Sequence, residues 1–441
     1  MRPSKFNVFI PLQDEKKLIF NTFSDSRVIG DRDVITAIET SDQPHLLSEK
    51  QRDQLHQLKE LGIMIDDDAN EDREIEYWFQ GVKFDSSIMS ATILTTLACN
   101  MKCVYCFEQG VDSNLSMEQE MAAKVCNWLT NKMDKVRPRE LFIVFFGGEP
   151  LLNLEAVKFI SKTLYHESEK RGVTLNIEII TNGLLLTPKL VDTLTPFGLR
   201  RVKVTLDGDE ACHNRMRPRK RGVGADGNDK GTYRDIIDNL LNIKGRVPIA
   251  IGGNYDNTTK RHIPALLDDL KNMGFGDEIE KIAFKPILGF PGHKTWSSHM
   301  IEPCSFSETN VEDIFWLIQE IEKRGFKPIK DIALGPCESM REHTCTIDPR
   351  GDIYKCATLA GRKEYAIGNI DDDLVKIRFN PINVAFMTAD LWRKCKECKF
   401  IPICGGGCRI GAILQKGSPS AILCEKEYFE KVSTKLVVSE V

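Results

Sequence analysis

The spacing of apolar positions changes rhythm several times along this chain. Residues 5–12 and 16–23, rich in Val, Ile, Leu and Phe, predict two strands joined by the polar turn Gln13-Asp14-Glu15. Residues 34–38 open a short helix. Residues 48–61 predict another, with Ser48 as its cap and Leu55, Leu58 and Leu61 at helical spacing. The apolar Gly62-Ile63-Met64-Ile65 follows, and the acidic run over 66–72 predicts a solvated loop. From residue 91 the pattern alternates. Strands are predicted at 91–97, 141–146 (buried on both faces), 175–180, 201–206, 249–252 and 282–287. Helices are predicted at 116–132 and near 153–171, 187–195, 232–244, 259–273 and 307–324. Cys126 lies beside the apolar stripe of the first of these and reads as a packed thiol. Six such βα units predict an α/β fold, a partial (β/α)6 TIM-like barrel.

Composition narrows the class. With 41% hydrophobic and 28% charged residues the chain reads as globular, and 441 residues exceed one ordinary core. No apolar run reaches the ~20 residues that span a bilayer, and the first residues are too short an apolar stretch for a signal peptide. These features predict a cytoplasmic protein with no membrane partner. A net charge of −4 gives no basic surplus for nucleic acid. Fourteen Cys without an export signal point to metal sites rather than disulfides.

Three of those thiols stand at Cys99, Cys103 and Cys106, in the loop that follows the strand at 91–97. Soft thiolates at this spacing suit an iron–sulfur cluster, and three ligands leave one of four irons open. No His follows within the next fifty residues to complete a zinc site. The CxxxCxxC pattern followed by the aromatic Phe107 resembles the signature of radical S-adenosylmethionine (SAM) enzymes. The resemblance implies that the open iron chelates SAM. Reductive cleavage would then give methionine and a 5′-deoxyadenosyl radical that abstracts a substrate hydrogen atom.

Further strand ends extend the resemblance. Gly147-Gly148-Glu149-Pro150 closes the second strand and matches the family's SAM-binding GGEP strip. Thr181-Asn182-Gly183 closes the third. Thr205-Leu206-Asp207-Gly208 closes the fourth, with His213, Arg215 and Arg217 after it. By resemblance Thr205 touches SAM, Asp207 organises the substrate pocket, and Asn254 after the fifth strand meets the SAM ribose. Tyr105 inside the cysteine motif joins this cofactor-binding set. Cys212 reads as a bystander. The basic, Gly-rich stretch 217–227 reads as a solvated loop or a gate.

The remaining cysteines fall into an ordered array. Cys337 and Cys356 fit C-x13-G-x4-C; Cys395, Cys398, Cys404 and Cys408 fit CX2CX5CX3C; Cys424 follows. This resembles the SPASM domain. The resemblance implies one auxiliary [4Fe–4S] cluster on Cys337, Cys345, Cys356 and Cys408, and a second on Cys395, Cys398, Cys404 and Cys424. Cys126, Cys212 and Cys304 are left over. Three regions result: 1–85, 86–325 and 326–441. Strands followed by helices in the first resemble the winged-helix peptide-recognition module of ribosomal-peptide maturation; the alternative is a structural cap. The last is the SPASM iron–sulfur domain.

The resemblance implies a peptide-modifying oxidoreductase acting on a ribosomally made precursor with a leader, served by a flavodoxin or ferredoxin as electron donor. Sulfatase maturation to formylglycine is the alternative. Maturases carry an Asp directly after the cysteine of the GX4C element, where this chain has Ala357. No general base is assigned.

Overall fold

In the computed structural model six parallel strands run side by side in chain order. They are β1 (Ile88–Thr96), β2 (Glu140–Gly147), β3 (Thr174–Thr181), β4 (Leu199–Thr205), β5 (Ile249–Tyr255) and β6 (Ile279–Pro286). The structure describes residues 1–108, 111–112, 114–220, 231–287, 308–330 and 334–438, without the side chains of 308–310. Most of the stretch 217–227, and Cys304, lie outside the described residues. Three short strands extend the sheet beyond β1: β7 (Thr344–Ile347) lies parallel to β1, and β8 (Asp352–Tyr354) and β9 (Gly368–Asn369) continue it antiparallel. The sheet order β6-β5-β4-β3-β2-β1-β7-β8-β9 is open, a partial (β/α)6 barrel.

The helices between strands are amphipathic and cover one face of the sheet. Leu141, Ile143 and Phe145 of β2 bury there with Val125 and Leu129 of the helix Gln119–Val136 and Val157 and Ile160 of the helix Leu154–Glu169. Cys126 is buried in the same core, as its place beside the stripe predicts. The other face departs from expectation. The run 141–146 is not buried on both sides, because Phe142, Val144 and Phe146 alternate with the core residues and remain partly exposed. An open barrel leaves its inner face unfilled, so an all-apolar strand can still line a space.

The chain divides into two compact units. The larger holds residues 85–329 and 342–387; the smaller holds 1–84, 330–341 and 388–441. In the smaller unit the strands Asn7–Pro11, Lys17–Asn21 and Arg27–Gly30 form an antiparallel sheet, and Arg2–Pro3 pairs with Met64–Ile65. Three helices, Arg32–Glu39, Glu49–Glu60 and Glu71–Lys83, complete the N-terminal part. Ser48 caps the second through a full capping box with Gln51. The acidic run is not wholly a loop: Asn70 caps the third helix, and Glu71 is buried against Arg2 and Ser4. Two cores join the N-terminal part to the C-terminal segment. Val8, Ile10, Leu18 and Phe20 pack with Phe400, Ile403 and Val437, and Phe6, Ile75 and Phe79 pack with Trp392 and Ile401. Among the described residues no helix is long and apolar enough to cross a membrane.

Candidate active site

The three motif thiols sit directly beyond the end of β1, where strand geometry gives way to a loop. Close backbone approach holds that loop. Gly147 and Gly148 at the end of β2 lie so near that a Cβ would come within 2.4 Å of the Thr96 carbonyl and 2.2 Å of the Ala98 carbonyl. Gly147 also has φ +124°, which side-chain-bearing residues rarely adopt. The Glu149 amide donates to the Ala98 carbonyl at 2.8 Å.

Glu149 is fully buried and its carboxylate is satisfied. Thr181 Oγ1 donates to it at 2.8 Å, the Asn182 amide at 2.8 Å and the Leu151 amide at 3.1 Å. Asn182 in turn donates through Nδ2 to Asn100 Oδ1 at 2.7 Å, inside the cysteine loop. Burial pushes the Glu149 carboxyl up, and these donors hold it partly back. The ends of β2 and β3 therefore brace the loop through one carboxylate. Pro150 starts the following short 3-10 turn (Pro150–Asn153), and its carbonyl accepts from Thr95.

A second buried network closes the other side. Tyr105 OH donates to Asp207 Oδ2, and Arg217 Nη1 donates to Tyr105 OH at 2.6 Å. The Asn254 amide donates to Asp207 Oδ1 at 2.8 Å, and Asn254 Nδ2 to Tyr105 OH at 3.2 Å. Asp207 is pushed up by burial, against Arg217 and the hydrogen bonds it accepts. Gly253 is required at the crossing, since a Cβ there would meet the Leu206 carbonyl at 2.1 Å. The sequence-predicted Tyr105, Asp207 and Asn254 are thus brought together, with Arg217 joining them and its Nε left without a partner among the described residues. Thr205 ends β4 next to them, half-buried. His213 accepts from the Asp207 amide at 3.4 Å, and Cys212 is buried beside Met216 and Ile287. Asn182 stands in the Thr181-Asn182-Gly183 strand end, whereas Asn100, inside the cysteine motif, is given no role by sequence.

The donor set fits an iron–sulfur cluster. Burial pushes the Cys99 and Cys106 thiols up to about 12 and raises Cys103, with neighbouring thiols adding to the rise at Cys99 and Cys106. Such thiols give up their protons when a soft cation binds. Among the described residues no three His, Cys, Asp or Glu groups are placed to hold a single ion. Thiols around a four-iron cube stand further apart than the ligands of one ion.

The C-terminal thiols divide between the units. Cys345, at the start of β7, and Cys356 belong to the larger; Cys337, Cys395, Cys398, Cys404, Cys408 and Cys424 belong to the smaller. Within the smaller unit Cys395 is raised by burial, then by Cys398 and Cys424, and Cys404 is pushed up to about 11 by burial, with Cys398 also contributing. Those four are the predicted second auxiliary set. Arg409 is 1% exposed beside them and donates only to carbonyls: Gly406, Gly407, Pro419 and Ala421. A buried guanidinium without a bonded carboxylate is costly unless an anion lies near. Cys337, Cys408, Cys404 and the Glu425 carboxyl are the charges that would favour it, and a thiolate-ligated cluster would add to them.

Comparison with known proteins adds an independent line. Residues 93–270 match the Radical SAM superfamily model. The cysteine-type anaerobic sulfatase-maturating enzyme of Clostridium novyi (strain NT) is 26% identical over 369 residues, covering 77% of this chain and 93% of that protein. The radical SAM cyclopropyl synthase TigE of Paramaledivibacter caminithermalis is 26% identical over 158 residues, 31% of this chain and 33% of that one. Among solved structures, anSMEcpe with bound AdoMet and a Cp18Cys peptide aligns with a TM-score of 0.59 at 19% identity, covering 80% of this chain and 98% of that one. SuiB of Streptococcus suis bound to S-adenosylmethionine aligns with a TM-score of 0.54 at 15% identity, covering 96% and 98%. At these identities the structural matches speak for the fold.

Proposed function

We propose that this chain, a radical SAM enzyme, modifies a peptide within its open barrel. One observation carries the reading. The SuiB fold match covers 96% of the chain, which leaves no room for the first 84 residues to fall outside it, whereas the anSMEcpe match covers 80%. SuiB has been solved with its precursor peptide SuiA. A SuiB-like N-terminal part and Ala357 after Cys356 both favour maturation of a leader-bearing precursor over formylglycine formation. The 369-residue similarity to a sulfatase-maturating enzyme keeps that chemistry as the second reading.

In this reading Cys99, Cys103 and Cys106 hold the SAM-binding [4Fe–4S] cluster. With SAM bound and reduced, that centre supplies a 5′-deoxyadenosyl radical able to take a hydrogen atom from carbon. The chain's residues set the geometry. Gly147, Gly148 and Glu149 press and brace the cysteine loop. Tyr105, Asp207, Arg217 and Asn254 form a rigid polar wall, and Thr205 and Pro150 flank the same strand ends. Phe107 stacks on Phe146 at 6.1 Å and extends an apolar wall along β2. Positioning of this kind selects one C–H bond. Cys337, Cys345, Cys356 and Cys408, and separately Cys395, Cys398, Cys404 and Cys424, would hold two auxiliary clusters that accept the electron released by the substrate. A flavodoxin or ferredoxin would deliver the reducing electron, in the cytoplasm.

The test is product mass. Anaerobically reconstituted enzyme is given SAM, a reductant and either a precursor peptide encoded beside the gene or a sulfatase-derived Cys peptide. Loss of hydrogen with retention of sulfur in the precursor supports the main reading. Conversion of the Cys peptide alone, with loss of sulfur and gain of a carbonyl, supports the second and overturns the first.

A further inference from the structure

The uncovered face of the barrel has a chemical character of its own. Along β2 it is apolar, with Phe142 37% exposed and Phe146 stacked beneath Phe107. Along β4 and β6 it carries Lys203 and Lys285. The strand register sets these two on either side of β5: Lys203 is level with Ala250, and Lys285 is level with Asn254. Gly252 lies between, level with Ala283, so the floor separating the two amines is made of small residues. A Cβ at 252 would come within 2.8 Å of Lys203 Cε. The Lys203 stem therefore lies across bare backbone.

Neither amine has a hydrogen bond or ion pair among the described residues. The nearby carboxylates are committed: Glu178 and Glu280 both accept from Arg201, one inward-facing step further down β4. Burial and the Lys285 charge both act against protonation of Lys203, and only Glu178 acts for it. Lys203 is partly buried and Lys285 is exposed, and two like charges on one face with no counter-ion among the described residues form an arrangement that an anion relieves.

Resting on the peptide-substrate reading, we propose that Lys203 and Lys285 bind a carboxylate of the substrate, so that the segment to be modified carries an acidic residue. A carboxylate could come from the peptide or from SAM. Lys285, level with Asn254, borders the polar wall; the peptide is favoured because Lys203 lies one inward-facing step below Thr205, deeper in the barrel than the cysteine loop. The apolar wall of Phe142 and Phe146 would take a neighbouring hydrophobic side chain of the same peptide.

The experiment uses the reconstituted holoenzyme and two fluorescein-labelled peptides, one alternating Glu with Phe and one alternating Gln with Phe. Anisotropy gives their affinities, and dialysis with labelled SAM gives the cofactor's. The wild type should prefer the Glu peptide by about tenfold, with the preference shrinking as salt rises. Lys203→Gln and Lys285→Gln should each remove most of that preference at unchanged SAM affinity and iron content. Lys203→Arg, which keeps the charge, should retain it. Equal binding of both peptides by the wild type overturns the proposal while leaving the peptide reading intact. Binding of neither peptide by an enzyme that still binds SAM overturns the proposal, and the product-mass test with the precursor then decides the peptide reading. Loss of SAM affinity in Lys203→Gln assigns the lysine to the cofactor and overturns the proposal. Loss of iron in both the Gln and Arg variants makes the residue structural and overturns it too.

Discussion

Glu149 shows what a single residue does here. Its place in Gly147-Gly148-Glu149-Pro150 was legible from sequence; its partners were not, because Thr181 and Asn182 come from a strand end 32 and 33 residues on. Charged hydrogen bonds of this kind contribute about 1.5–3 kcal/mol each. Glu149→Gln should therefore loosen the cysteine loop and weaken SAM binding by roughly ten- to a hundredfold, measured by equilibrium dialysis. Wild-type affinity in that variant would remove the bracing role. Gly148→Ala should be harsher, since no rotamer can move a Cβ from the Ala98 carbonyl. Arg409 was invisible in the sequence, being one basic residue after a cysteine. Arg409→Gln removes the fork that gathers four carbonyls, and should cost about four of twelve irons on the three-cluster stoichiometry. Iron analysis and the cluster signals in electron paramagnetic resonance check this. A full complement of iron would show that the guanidinium does not hold the cradle.

At the scale of elements, the βα repeat could be read almost strand for strand, because helix-covered strands give long apolar runs bounded by turns. Three features escaped. The strand Arg27–Gly30 is short and polar at its edges. The inner face of β2 is apolar for reasons other than burial. The helix Glu71–Lys83 hides in an acidic run, although those acids suit its first turn, where the helix dipole favours negative charge. That helix joins the two ends of the chain: Phe79 stacks on Trp392 with ring centroids 5.2 Å apart, Trp78 lies edge-on to Phe79 at 5.1 Å, and Lys83 sits over the Trp392 ring. Trp392→Ala should destabilise the smaller unit by about 3–5 kcal/mol, as large core deletions do. Denaturant unfolding followed by the remaining tryptophans gives the value; a change under about 1 kcal/mol would mean the stack is incidental.

For the whole molecule, the joined cores change how the N-terminal part can be tested. Sequence alone suggests a detachable module over 1–85. Yet its strands share apolar cores with the cysteine-bearing C-terminal segment, so residues 388–441 would lose that cover on truncation. Deleting residues 1–80 should reduce iron content as well as peptide modification, and aggregation should accompany it through the exposed Phe400, Ile403 and Trp392 surfaces. A truncated enzyme that keeps all its iron would instead show independent modules. Long-range packing of this kind leaves no trace in local periodicity, whereas the cysteine spacings do, because ligand geometry is set over a few residues.

In the proposed function a SAM-derived radical formed at Cys99, Cys103 and Cys106 acts on a peptide. The most direct measurement follows deuterium. A precursor peptide deuterated at the carbon to be modified is incubated with holoenzyme, SAM and reductant, and the released 5′-deoxyadenosine is analysed by mass spectrometry. Deuterium is expected in the 5′-deoxyadenosine alongside modified peptide, and neither product from Cys99→Ala. Modified peptide with unlabelled 5′-deoxyadenosine, or deuterium transfer that survives Cys99→Ala, would contradict the proposed function.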